Sequence, residues 1–357
     1  FSESGGFYSA QDADSEGVEG KFFTWSIDEI NSVLNKEEAE KIISNFNLTI
    51  EGNFEGKNIL FKNEDIDNED KKIISEALKK LYDERSKRVP PLTDKKVITS
   101  WNSMALKVFA KAGVIFENKK WIEIAEKNAN YLLKNNILKG KIQRASYENV
   151  SSNIHGQLED YSYFIQALIE LNESTGENKW IKQALNFVEK MIDEFWSEKE
   201  GKLYDSGKSS TDTLVRPSTT QDNITASGIS VACEVLIRLS VITNNNKYKE
   251  IVENQVKNAS NDIGRFPAAH CNWIKLLNIN NFSTQIVFAG KDFNNLIKTA
   301  NLEYLPNITY GFDKGEESFY ISKDKYVDGK NLAYFCKDYH CELPVDSDEE
   351  LLNQIRN

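Results

Sequence analysis

Three stretches of this chain align with one another when laid end to end, and their common period near sixty residues constrains the fold more than any other feature. The first runs ITSWNSMALKVFAKAG (98–113), ENKKWIEIAEKNANYLLKNN (117–136) and LKGKIQRAS. The second runs QLEDYSYFIQALIELNESTG (157–176), ENKWIKQALNFVEKMIDEFW (177–196) and EKEGKLYDS. The third runs TTQDNITASGISVACEVLIRLSVIT (219–243), NNNKYKEIVENQVKNA (244–259) and DIGRFPAA. The markers keep time: Trp121 to Trp180 is 59 residues, Trp180 to Tyr248 is 68, Trp101 to Asp160 is 59 and Asp160 to Asp222 is 62.

Each unit reads as an apolar helix, a polar turn, an amphipathic helix with an aromatic near its start, and a return containing glycine. Two helices in about sixty residues is too long for tetratricopeptide or HEAT repeats. It fits the hairpins of a mainly α, (α/α)6-type toroid. The first helix of each pair is nearly apolar all round and belongs in an inner ring, whereas the second carries Lys and Glu on one face and belongs outside. The starts of the inner helices then gather at one mouth.

The flanks are less regular. Residues 26–46 predict two short helices, with Ser26 and Glu29 forming a capping box, and 69–88 predict a charged helix ending before Pro90-Pro91. The expected organisation is a toroid over 1–282, with an irregular inserted region at about 40–70, and an appended α/β segment over 283–357. In that segment STQIVFAG, NITYGF, SFYIS and LAYFC read as strands, and 348–356 as a closing helix.

The net charge of -11 sets a field that repels phosphate backbones and anionic membranes, which argues against nucleic-acid and membrane partners. Four cysteines are too few for a disulfide-stapled secreted fold, and no run of about 18 apolar residues or signal peptide is present, so a cytoplasmic location is expected. Phe1 starts in mid-motif, so an upstream targeting segment would be invisible. The absence of C-x-x-C, phosphate-loop and G-x-G-x-x-G motifs disfavours nucleotide chemistry, and no cofactor is expected.

The segments FYSAQDADSEGVEGKFFTWSIDEI (7–30), RVPPLTDKKVITSWNSMALKVFAKAG (88–113), LEDYSYFIQALIELNESTG (158–176) and CKDYHCELPV (336–345) together resemble the YyaL and spermatogenesis-associated protein 20 family over essentially the whole chain. Family members look like a thioredoxin-like domain followed by a six-hairpin toroid similar to N-acylglucosamine 2-epimerases and six-hairpin glycosidases. The resemblance implies that this chain is a fragment or a truncated gene product with an incomplete ring, lacking the thioredoxin-like domain and the helices before GGFYSA. It also implies a carbohydrate ligand and a carbohydrate-active protein, either a sugar epimerase or isomerase or a glycosidase-like enzyme. That implication comes by fold more than by motif.

The chemistry has several candidate residues. Asp12 and Asp14 in DADSEGVEG begin like a calcium loop, but Phe23 stands where the bidentate Glu is required, so no EF-hand forms. They read as a solvated acidic turn, or, by the resemblance, as catalytic carboxylates. Trp101 with Asn102, Asp160 with Tyr161, and Asp222 with Asn223 hold equivalent places in the three repeats. Aromatic platforms with carboxylates and amides bind sugars, and opposed carboxylates serve epimerisation and glycoside hydrolysis alike. Asp at these positions is also an ordinary helix cap.

His155 precedes the second inner helix and suits proton transfer near neutral pH. His270 and His340 have no matching positions, which weighs against a two-histidine epimerase mechanism and makes a carboxylate mechanism at least its equal. Arg216 can fix hydroxyls or a carboxylate with its fork of donors, and Tyr8 can supply a stacking face, or each is ordinary surface and core. Cys336 and Cys341 lack the paired spacing of a zinc site, and no metal is expected; two buried thiols or a disulfide across a strand end are the alternatives. The competing function is a non-catalytic glycan- or peptide-binding toroid that scaffolds the thioredoxin-like domain.

Overall fold

The protein is described here by a computed structural model, covering all residues except 63–65, 69, 211–213, 282–283, 317, 338–339 and 357. The chain divides into two compact units: Ser9–Lys95, and a larger one made of Phe1–Tyr8 with Lys96–Asn357.

The smaller unit holds α1 (Ile27–Val33), α2 (Lys36–Asn45) and α3 (Lys71–Arg85). Reciprocal capping fixes the first: Ser26 Oγ accepts from the Glu29 amide at 3.1 Å, and Glu29 Oε2 accepts from the Ser26 amide at 2.7 Å. Two of the otherwise orphaned donors at the helix start are thereby satisfied. Asn35 and Glu38 repeat the device at the start of α2. The three helices enclose a core of their own around Trp25, Ile30, Ile42, Ile74 and Leu81.

The larger unit is built of hairpins. These pair α4 (Thr99–Ile115) with α5 (Lys119–Asn135), α6 (Leu158–Thr175) with α7 (Lys179–Phe195), and α8 (Gly228–Thr243) with α9 (Asn246–Arg265); α10 (Cys271–Asn281) follows. Packing runs α4 to α6, α6 to α8 and α8 to α10, with each odd-numbered partner against its own hairpin mate. The inner layer is therefore α4, α6, α8 and α10, and α5, α7 and α9 lie outside it.

Burial explains the composition. Every residue of α6 except Glu159 and Thr175 is buried, as a helix covered on both sides requires. Gly176 ends it in the left-handed conformation at φ +66° and returns its amide to the Asn172 carbonyl. That conformation is one that only a residue without Cβ adopts readily. Phe164, Phe195 and Trp273 lie fully buried in the shared core, each stabilising the fold by roughly 1.5–3 kcal/mol.

The C-terminal segment packs α11 (Asn294–Ala300) and α12 (Asp348–Arg356) on a sheet of β1 (Thr284–Ala289), β2 (Ile308–Asp313), β3 (Leu332–Lys337) and β4 (His340–Cys341). The strand order is β2-β1-β3-β4, with β1 and β2 parallel across α11 and the remaining pairs antiparallel. The expected strand SFYIS is instead a single 3₁₀ turn, Tyr320–Ser322. There Ser322 Oγ donates to the Phe312 carbonyl at 2.9 Å, a local side-chain bond that competes with the ladder. Cys336 and Cys341 face each other across β3 and β4 and form a disulfide. Among the described residues no helix is long and apolar enough to cross a membrane.

Candidate functional site

The starts of α4, α6 and α8 share one end of the inner layer, where one aspartate ties α6 to α4 and another ties α8 to α10. Arg144 grips the first two helices: its carbonyl accepts from the Thr99 amide at 3.0 Å, and its guanidinium bonds Glu159 and, at 3.0 Å, Asp160 Oδ2. Asp160 also accepts from the Gln157 amide at 2.9 Å, capping α6, and from the Ser100 amide at 3.1 Å, holding the start of α4. It is fully buried. Burial pushes its carboxyl up to about 6, against the opposing pull of Arg144 and the Gln157 amide.

Asp222 does the same one repeat later. Its Oδ1 accepts from the Ser227 amide at 2.9 Å and the Ser230 hydroxyl at 3.4 Å, and its Oδ2 from the Asn272 amide at 2.9 Å. It thus ties the start of α8 to that of α10. Asp160 is the third residue of the α6 capping box and Asp222 holds the amide of Ser227, the α8 cap, and both also bind a neighbouring inner helix.

Other candidate side chains are likewise engaged by the chain itself. Asn102 Oδ1 accepts from the Phe7 amide and from Asn128, both at 2.8 Å, and its Nδ2 donates to the Phe7 and Ile98 carbonyls. The Tyr161 hydroxyl accepts from the Ile142 amide at 3.1 Å, and burial pushes it up to about 12. Arg216 donates to the Ser206 carbonyl at 2.7 and 3.0 Å and lies over the Tyr204 ring. Asn223 folds back on the Ile224 amide.

Six candidates are open to solvent, Asn223, Asp12 and Asp14 among them. Trp101 is 51% exposed, and Tyr8 and His155 are also exposed. His155 lines a cavity of about 220 Å³ with Tyr161, Gln157 and Glu194. Asp12 and Asp14 lie in the smaller unit, exposed, where Asp12 Oδ1 accepts from the Asp14 amide at 3.2 Å.

Between the starts of α6 and α8 opens a cavity of about 380 Å³, and here the sequence reading missed the central groups. Glu159 and Asp205 supply two carboxylates, Gln157, Gln221 and Asn223 amides, and Thr219 a hydroxyl. Glu159 is the one residue of α6 before its last that is not buried. Asp205 sits in the return of the second repeat, where its carbonyl accepts from the Leu158 amide at 2.9 Å and its Oδ2 from the Thr219 amide at 2.8 Å. Burial raises its carboxyl, and the charge of Glu159 raises it further, against the Thr219 bonds. The signals were in the sequence: Glu159 adjoins Asp160 in LEDY, and Asp205 lies within the return LYDS.

Gly228 lets the two helices meet. A Cβ there would stand 3.0 Å from the Glu159 amide nitrogen and 3.1 Å from its Cα, tighter than unstrained packing tolerates.

No family model matches the chain. An uncharacterised protein of Caenorhabditis elegans is 28% identical to it over 97% of the chain and 54% of that protein. Human spermatogenesis-associated protein 20 is 23% identical over 98% of the chain and 52% of its own length, and the rat protein 24% over 98% and 51%. The chain spans about half the length of the curated relatives it matches. Among solved structures it is similar to an α-mannanase of Bacteroides thetaiotaomicron (TM-score 0.43, 11% identity, 60% of this chain and 58% of that one). It is similar also to cellobiose 2-epimerase of Bacillus thermoamylovorans (TM-score 0.38, 10% identity, 45% and 44%). Along 97–98% of its length, this chain is a homologue of spermatogenesis-associated protein 20 and its nematode relative.

Proposed function

We propose that the cavity between the starts of α6 and α8 binds a carbohydrate and transfers protons to and from it with Asp205 and Glu159. The observation that carries this reading is the pair itself: two carboxylates in one polar cavity, set in different environments. Asp205 is biased towards its protonated form by burial and by its neighbour, while Glu159 is ion-paired with Arg144. Separated environments are how one site assigns an acid and a base.

In a glycosidic reaction Asp205 would protonate the leaving oxygen while Glu159 acts as base or nucleophile. In an epimerisation the same two groups would remove a proton from carbon and return one. Asp160, Asp222 and Asn102 then act as positioning residues, holding the inner-helix starts in register. Of the other candidates, Asn223 lines this cavity, and Tyr161 and His155 line the one of about 220 Å³ that also borders Gln157.

The second reading is a binding toroid without catalysis, scaffolding a thioredoxin-like domain. It is favoured by the full engagement of Asp160 and Asp222 with the chain itself. The test is turnover of a panel of mono- and disaccharides by the purified chain. Asp205→Asn and Glu159→Gln should each lower kcat by about two orders of magnitude or more with little change in fold. Saccharide binding without turnover in the wild type would favour the second reading.

A further inference from the structure

The inner helices are apolar except where they turn charged together. Lys107 and Lys111 on α4, Glu170 and Glu173 on α6, Glu234 and Arg238 on α8, and Lys275 on α10 face a cavity of about 400 Å³. Residues 301–306 and β2 close its other side. Glu170 lies eleven residues beyond Glu159 on α6, about 16 Å along the axis at 1.5 Å per residue. The two cavities share no lining residue.

Most of these charges are matched. Lys275 Nζ donates to Glu234 Oε2 at 2.8 Å, and Arg238 Nη1 to Glu173 Oε1 at 2.9 Å. Lys111 Nζ donates to Asn301 Oδ1 at 2.7 Å and stands 3.6 Å from Glu170 Oε1. At the rim Glu303 is held by Arg356. Lys107 is left over, with no hydrogen-bond or ion-pair partner among the described residues, and the Oε1 of Glu170, a residue only 8% exposed, has the Lys111 ion pair but no hydrogen bond. Four cations face three carboxylates once Glu303 is assigned to Arg356, so the interior carries one uncompensated positive charge.

We propose that this cavity is a second ligand site, and that it takes a small hydroxylated anion, a sugar phosphate or a sugar acid, whose charged group rests on Lys107 and whose hydroxyls reach Glu170. Lys107 is half-buried, a cation without a partner is incompletely compensated there, and a lysine offers three donors to an oxyanion. A carboxylate oxygen without a donor is matched by a hydroxyl. The volume lies within the roughly 300–1,000 Å³ of small-molecule sites. Burial holds the Lys107 ammonium below its usual range, the repulsion of Lys275 and Arg238 adding to it and Glu234 and Glu170 opposing. A bound anion would reverse that.

The test is calorimetric titration of the whole chain with inorganic phosphate, glucose 6-phosphate, glucuronate and glucose. At least one of the two anionic sugars should bind and glucose should not bind at this site; which of the two binds identifies the anionic group. Lys107→Met should weaken that binding at least tenfold, and Lys107→Arg should retain it. Glu170→Gln should weaken the anionic sugar but leave inorganic phosphate unaffected. Asp205→Asn, in the other cavity, should change none of these, which separates this site from the proton-transfer site. Without ligand, Lys107→Met should melt at or above the wild-type temperature. Failure of both anionic sugars to bind the wild type, or equal binding by Lys107→Met, would overturn the proposal. So would failure of Lys107→Met to fold, because an unpaired lysine has no polar contact to lose.

Discussion

Asp160 shows how one side chain serves a repeat. It caps its own helix, as Asp does at a helix start, and the sequence displays that much through its spacing from Trp101 and Asp222. What the spacing does not display is that its second oxygen reaches across to the Ser100 amide while Arg144 closes over it. Those partners lie 60 and 16 residues away and depend on packing. Its carboxyl, at about 6 in the folded chain against 3.8 ordinarily, takes up a proton more readily folded than unfolded. The resulting contribution to stability is full below about pH 4 and is lost as the pH rises through about 6. A displacement of about two units corresponds to on the order of 3 kcal/mol. The wild type should therefore lose up to about that much stability relative to Asp160→Asn between pH 4 and pH 7, measured by urea denaturation at each pH. A difference that stays flat across this range would contradict the account.

At the scale of elements, the hairpins were legible because inner and outer helices differ in kind. One has apolar residues on every side and the other a charged face, and the structure layers them accordingly. That same reading passed over Lys107, Glu170, Glu234 and Arg238, single charges inside stretches such as ALKVFAKAG and CEVLIRLS. An isolated charge in a buried helix looks like noise until the neighbouring helix supplies another beside it. SFYIS reads as a short strand in the sequence, and the Ser322 hydroxyl, bonded to Phe312, turns it instead. Gly228 is the element-scale hinge of the mouth, since it sets how closely α8 approaches α6. Gly228→Val should force the two apart at a loss of about 1–3 kcal/mol by chemical denaturation, with weaker saccharide binding. Unchanged stability and binding would show that the close approach does no work.

Over the whole molecule, the sixty-residue period announced the architecture while leaving the chemistry to the seams between repeats. Asp160 and Asp222 recur because each fastens its own inner helix to a neighbouring one. The carboxylates that line the proposed site, Glu159 and Asp205, come from one repeat's helix start and its own return loop, positions with no counterpart marked by the period. The central claim is that a carbohydrate sits between these two carboxylates. The most direct measurement is a crystal structure of the Asp205→Asn chain soaked with a saccharide that the wild type turns over. The account predicts sugar density between Glu159 and residue 205, with the amides of Gln221 and Asn223 around it. Density elsewhere, with this cavity holding only water, would contradict it.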